Sequence, residues 1–429
     1  MSTSDTNDPN DSCNPSPGAE AQFAQPPLKP KKGRGAVSNL QGRYEVLARE
    51  DIDDGWSGAN PEGKEDSAVS SETAAQADAQ GPGLEPEGAS AWKTQVIEER
   101  AKSILSRNQS PDVPFTISLN PYRGCEHGCI YCFARPTHSY LGLSPGLDFE
   151  SKIFAKVNAP ELLKQELGKP SHVAEPIALG VNTDAYQPCE RELRLTRRLL
   201  EVLSECHHPV ALITKSSLIE RDIDLLAEMA SQRLAMAAVT LTTLDPQVAR
   251  TLEPRASAPM RRLRTIRTLT DAGIPVGVSI APVIPFVTEP DLERILAAAA
   301  DAGAVNAGYV TLRLPWEVSP LFRQWLEAHF PDRAARVMNR VRDIHGGKDY
   351  DSSFGKRMHG EGIWADLIRQ RFEKTVARLG IGVRSGRFQG LDTSLFRRPS
   401  TPQMPEGTKV DAKEKSRGTF NPGGQLELF

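Results

Sequence analysis

The sequence predicts an α/β fold, a parallel sheet with helices covering its outside. Two observations carry this. Short, unbroken apolar runs alternate with stretches of helical period through the middle of the chain, and long polar segments bound that middle on both sides. Buried parallel strands read as continuous apolar runs, and the crossover between two of them is usually a helix.

Taken in order, residues 1–93 are poor in apolar side chains and rich in Pro, Gly, Ser, Ala, Asp and Glu. Such a segment buries too little surface to offset its ordering entropy, so it is expected to be mostly disordered. One basic, Gly-rich island departs from it: Lys31-Lys32-Gly33-Arg34-Gly35-Ala36, running on to Gly42-Arg43-Tyr44-Glu45. It reads either as a cover over a charged surface or as a solvated linker. Strands are expected at 114–119, 176–181, 209–214, 236–241, 275–281 and 305–312, and helices at 160–167, 191–205, 218–232, 259–272 and 290–302. Together they form a core over 94–317. Periodicity does not separate an open doubly wound sheet from a barrel-like one. In both, ligands bind at the C-terminal ends of the strands, so the residues after each strand are the candidates for a site. Residues 318–397 turn mainly helical, with Trp325, Trp364 and Phe372 as packing anchors. The tail 398–429 is again rich in Pro, Gly, Lys and Glu, and ends in Gln425-Leu426-Glu427-Leu428-Phe429.

The net charge of -3 favours no general affinity for nucleic acid, so any basic surface must be local. No apolar run reaches the ~18 residues of a membrane span, and no membrane partner is expected. The N-terminus lacks a basic region followed by an apolar one, which points to the cytoplasm. Thiols there stay reduced, and clustered cysteines serve metal or catalysis more often than disulfides. Of six cysteines, three fall within eight residues, in Asn120-Pro121-Tyr122-Arg123-Gly124-Cys125-Glu126-His127-Gly128-Cys129-Ile130-Tyr131-Cys132.

That spacing is C-x3-C-x2-C, directly after the first strand. Gly124 and Gly128 let the backbone curl so that three thiolates converge on one cubane face. Iron–sulfur clusters usually take four thiolates; three leave one iron open for a small molecule. The competing reading is zinc. A structural zinc site wants four ligands in two pairs, no second C-x2-C exists, and His127 would be strained as a fourth ligand between two cysteines. Redox use of Cys129 and Cys132 is disfavoured by the third cysteine.

Polar residues follow the other strands. Lys215 offers a point charge to a carboxylate, or is simply a surface lysine at a strand end. Thr240 and Thr242 offer hydroxyls, or merely reflect the strand propensity of Thr. Asn182-Thr183-Asp184 fits a ligand site or a plain turn and helix cap. Arg250, Arg255, Arg261, Arg262, Arg264 and Arg267 form a stripe that would suit phosphates, or a solvated helix face. Glu253 and Arg255 read as a pocket feature or a structural pair.

C-x3-C-x2-C after the first strand of a repeated βα pattern resembles the radical S-adenosylmethionine (SAM) superfamily. The resemblance implies a partial (β/α)6 TIM-type barrel, a [4Fe–4S] cluster on Cys125, Cys129 and Cys132, and SAM chelating the open iron. It also implies an electron donor and cleavage of SAM to a 5′-deoxyadenosyl radical. Tyr131 matches an aromatic that packs near the adenine. Gly124-Cys125, Cys132-Phe133-Ala134-Arg135-Pro136, Thr183-Asp184, Thr214-Lys215, Leu252-Glu253-Pro254-Arg255 and Ala281-Pro282-Val283-Ile284-Pro285 are similar to the spore photoproduct lyase-like branch, and within it to a little-characterised bacterial group. The island 33–45 belongs to the same likeness.

The likeness implies that Lys215 meets the SAM carboxylate and sets Thr240 where the lyase pattern has a serine; Asn182, Thr240 and Thr242 are expected to contact the rest of SAM from their places after the strands. It departs at Val181, which stands where the lyase pattern has its hydrogen-donor cysteine; Cys189 is the nearest other thiol and the one catalytic candidate. Radical chemistry is therefore expected more firmly than the lyase reaction. DNA is the expected substrate class. The terminal Gln425-Leu426-Glu427-Leu428-Phe429 resembles the peptide by which bacterial repair proteins hold the DNA sliding clamp. The alternatives are a protein or small-molecule substrate, or a non-catalytic zinc-containing module that binds nucleic acid.

Overall fold

The computed structural model describes residues 29–45, 93–383 and 390–399. The expectations for residues 1–28, 46–92 and 400–429, the terminal peptide included, lie outside the described residues. In chain order the strands are β1 (Gln95–Glu99), β2 (Leu105–Arg107), β3 (Ile117–Leu119), β4 (Tyr122–Arg123), β5 (Lys152–Lys156), β6 (Ile177–Leu179), β7 (Val210–Thr214), β8 (Ala235–Thr240), β9 (Val276–Val283), β10 (Asn306–Thr311) and β11 (Gly382–Val383).

Strands β3, β6, β7, β8, β9 and β10 are the six read from the sequence. Each lies parallel to its successor in one sheet ordered β11-β10-β9-β8-β7-β6-β3-β2. This order answers the question that periodicity left open. A doubly wound sheet reverses direction at a switch point, whereas this one runs one way throughout, as in a TIM-type barrel. Antiparallel β2 and parallel β11 flank the row, and among the described residues they do not pair with each other, so the barrel is partial. Register pairs Leu179 with Leu212, Thr214 with Val239, and Thr240 with Ser279, so the strand ends emerge along one edge.

The helices are amphipathic where expected. Leu195–Glu205 buries Leu195, Leu199, Leu200 and Leu203 against the sheet. The stretch 191–205 is not one helix: Arg194, at φ 50°, breaks it after Glu190–Leu193. The stretch 218–232 opens as a 3-10 turn, Ser217–Asp222, capped by the Ser216 side chain, before Ile223–Ser231. A second sheet, β1-β5-β4, was not anticipated. Beyond β10, Val318–His329, Pro331–Ile344 and Ile363–Leu379 form the helical extension. Trp325 is fully buried and its Nε1 donates to Thr251 O at 3.0 Å. Phe372 is buried, while Trp364 is only partly so. No helix among the described residues is long and apolar enough to cross a membrane.

The basic island is not a solvated linker. Residues 34–37 are buried. The Gly35 and Ala36 N–H groups donate to the Glu150 carboxylate at 3.0 and 2.8 Å, and Arg34 Nη1 donates to Glu150 O at 2.6 Å. The island straps the outside of the cysteine loop.

Candidate active site

The cysteine loop leaves β4 and is held from three sides. Cys125 N donates to Phe149 O at 3.0 Å, and Ile130 N to Leu252 O at 3.2 Å. Gly124 and Gly128 take positive φ, 77° and 67°. A Cβ at either would stand under 3 Å from the His138 ring or the Glu150 carboxylate, so both turn and packing require glycine here. Behind the loop lies Arg135, fully buried. Its Nε donates to Cys129 O at 2.9 Å and its Nη2 to Gly128 O at 3.1 Å, and it pairs with Glu150. Buried backbone carbonyls and a buried charge are thereby satisfied together.

At the C-terminal edge of the sheet opens a cavity of about 990 Å³. Cys125, Cys129, Cys132, Tyr131, Asn182, Lys215 and Thr240 all line it, as does Val181. Thr242 and Cys189 do not. Thr242 is buried with its hydroxyl unpartnered. Cys189 packs with Tyr122 and Ile153 on the second sheet, and its N–H donates to Glu126 at 2.6 Å. Burial pushes the Cys129 thiol up to about 12, with Lys215 opposing, and pushes Cys125 well above its usual range. Lys215 Nζ lies 5.9 Å from the Tyr131 ring centroid. Among the described residues no carboxylate stands within ion-pair distance of it.

Two acids, Asp184 on the cavity wall and Glu253 behind it, set these positions, and sequence reasoning gave neither this role. Asp184 accepts from Thr214 Oγ1 at 2.7 Å, Lys215 N at 2.7 Å and Tyr186 N at 2.9 Å, and lies 3.3 Å from His127 Nδ1. Burial alone would raise its pKa, but His127 and these donors outweigh burial and hold it at about 2. His127 is thus turned to Asp184. Glu253 does not pair with Arg255: it accepts from the Tyr131 hydroxyl and pairs with buried Arg262, whose Nη1 donates to Thr240 O at 3.0 Å. Arg255 instead reaches Glu126 at 3.0 Å.

The arginine stripe is likewise corrected. Arg262 is buried, Arg261 forks onto Glu220 at 2.7 and 2.6 Å, and Arg267 donates to Asp301 O. A continuous phosphate-binding face does not form, because opposite charges and backbone acceptors take Arg255, Arg261, Arg262 and Arg267.

Three thiols line the cavity, and no fourth does among the described residues. Among the described residues no three His, Cys, Asp or Glu side chains close around a single metal ion. Three separated thiols beside one uncovered lysine fit a [4Fe–4S] cubane, which offers each thiolate its own iron and leaves one corner open.

The family model of the radical SAM superfamily matches residues 119–299. An uncharacterized protein of Mycobacterium tuberculosis is 38% identical over 251 residues, covering 58% of this chain and 73% of that one. In three dimensions the chain is similar to spore photoproduct lyase complexed with dinucleoside spore photoproduct, at TM-score 0.50 and 14% identity over 72% of this chain and 88% of the lyase. It is equally similar, at TM-score 0.50, 14% identity and the same coverage, to a variant of that lyase with bound AdoMet and dinucleoside spore photoproduct. Family match, relative and fold agree with the row of strands and the thiols at its edge: the chain belongs to the radical SAM superfamily of enzymes, which use a [4Fe–4S] cluster and SAM.

Proposed function

We propose that Cys125, Cys129 and Cys132 hold the [4Fe–4S] cluster in this cavity, and that the enzyme uses it to act on nucleic acid in a repair-like reaction. When bound, cluster and SAM together supply a 5′-deoxyadenosyl radical, by one-electron cleavage of the bond between SAM's sulfur and its 5′ carbon. An electron donor is required for this, as in the family at large.

The observation that carries the reading is the convergence of the three thiols, Tyr131, Asn182, Lys215 and Thr240 on one cavity. Lys215, held by its N–H on Asp184, offers its ammonium to the SAM carboxylate. Tyr131, fixed through Glu253, presents its ring to the adenine side. Asn182 and Thr240 take the ribose and methionine portions. Thr242 and Cys189, off the cavity, have no part. The nucleic-acid substrate is supported by the fold shared with a lyase whose structures hold a dinucleoside spore photoproduct. Val181 lines the cavity, and among its described lining residues no thiol remains beyond the three cysteines, so any hydrogen atom given to the substrate comes from a group other than a further cavity thiol.

The test is to incubate reconstituted, reduced protein and SAM with ultraviolet-irradiated and untreated oligonucleotides. Loss of a lesion with matching SAM consumption is expected only in the irradiated sample. SAM turnover that no oligonucleotide alters would remove nucleic acid from the account and leave the protein or small-molecule alternative.

A further inference from the structure

Cys132 stands between two aromatic residues, and each carries a cation. On one side Lys215 lies over the Tyr131 ring. On the other, Arg313 lies over Phe133, its Cζ 5.3 Å from the ring centroid. Arg313 follows β10, at the end of the last barrel strand, and lines the same cavity.

Apart from Lys215, the other charges around this cavity are matched. Asp112 pairs with Arg357, Asp184 is saturated by its donors, and Asp366 and Glu373 face Arg369. Arg313 has no carboxylate within ion-pair distance among the described residues. Its Nη2 donates to Tyr350 Oη at 3.2 Å, its Nη1 reaches only the Met358 thioether at 3.4 Å, and its Nε is buried with no acceptor. A guanidinium has five N–H donors, so most of this fork is unspent. Burying such a group without an acceptor is unfavourable unless a ligand completes it.

We propose that Arg313 is the anchor for a phosphodiester of the substrate, and so a specificity-determining residue. This rests on the reading above, in which Lys215 is taken by the SAM carboxylate. Three physical points favour phosphate on Arg313. A planar fork matches two oxygens of a tetrahedral anion, which a lysine cannot do. The rings of Phe133, Tyr309 and His359 line the cavity around it, giving a base an apolar face to stack on. The cavity, at about 990 Å³, lies at the top of the range for small-ligand sites, leaving room for a nucleotide beside SAM.

The test uses full-length, cluster-loaded protein and direct binding rather than turnover, so that it can fail independently of the catalytic reading. The probes are the dinucleotide thymidylyl-thymidine, which has one phosphodiester, thymidine, which has none, and SAM. Wild type is expected to bind the dinucleotide more tightly than thymidine. Arg313→Gln should lose that preference, about tenfold or more in affinity, while Arg313→Lys, which keeps the charge and the fold, should recover part of it. Equal binding of the two probes by wild type, or a preference undiminished in Arg313→Gln, would overturn the proposal. So would a comparable loss of SAM affinity, which would assign Arg313 to the SAM carboxylate instead.

Discussion

Tyr131 faces the cavity, but its position is decided behind it. Its hydroxyl is fixed on Glu253, and Glu253 is neutralised by Arg262, a fully buried guanidinium that also holds the end of β8 through Thr240 O. Removing one partner of such a pair leaves an uncompensated buried charge. Glu253→Ala is therefore expected to cost about 3–5 kcal/mol in denaturant unfolding, whereas the double change Glu253→Leu with Arg262→Met should cost less than that single one. On the face away from the cavity, His208 is buried against His172, Nε2 to Nε2 at 3.1 Å, with Phe396 across both rings. Burial first, then His172, lowers the His208 pKa to about 4. The unfolded chain takes up this proton near pH 6.5 and the folded chain only near pH 4, so the contribution is complete above about 6.5 and lost as pH falls toward 4. It amounts to about 3 kcal/mol. Unfolding curves between pH 7 and 4.5 should show this slope in wild type and a flatter one in His208→Gln. At this scale the cysteine motif was legible, because its spacing is local. The partners of Glu253 and Arg255 were not. Tyr131 and Glu126 come from the cysteine loop and Arg262 from the helix Pro259–Asp271, and sequence adjacency suggested a pair that the fold separates.

The element with most influence on the site is the strap at 34–37. It gives two backbone donors to Glu150, the carboxylate that also anchors Arg135 behind the cysteine loop. Gly35 packs so closely on this loop that a Cβ there would lie 1.9 Å from Gly128 O. Gly35→Ala must displace strap or loop. It is expected to leave the barrel folded but to lower iron per chain and visible iron–sulfur absorption after reconstitution; full iron loading would contradict this role. The six barrel strands were legible because both their faces are buried, which makes them continuous apolar runs. Strands β1 and β5 were missed for the opposite reason: β1 is largely exposed, and β5 alternates over only five residues. The helix break at Arg194 was invisible because the amphipathic period continues across it.

For the molecule as a whole, the one-way order puts the C-terminal ends of the six barrel strands on one edge and leaves the row open between β2 and β11 among the described residues. Two loops close over that opening. Asp112, between β2 and β3, accepts from Gly355 N and Arg357 Nε, each at 2.7 Å, and both side chains of the ion pair are nearly buried. Arg357→Ala should cost about 3 kcal/mol or more and expose the cavity. The cysteines of cluster-free protein should then react with an alkylating reagent several-fold faster than in wild type, and an unchanged rate would mean that the opening is closed by something else.

All of this architecture converges on Cys125, Cys129, Cys132 and Lys215. The most direct measurement is SAM cleavage by anaerobically reconstituted, reduced protein, beside a variant with Cys125, Cys129 and Cys132 all changed to Ala. The account predicts 5′-deoxyadenosine from wild type and none from the variant. Stoichiometric zinc in place of iron, with no cleavage by either protein, would contradict it.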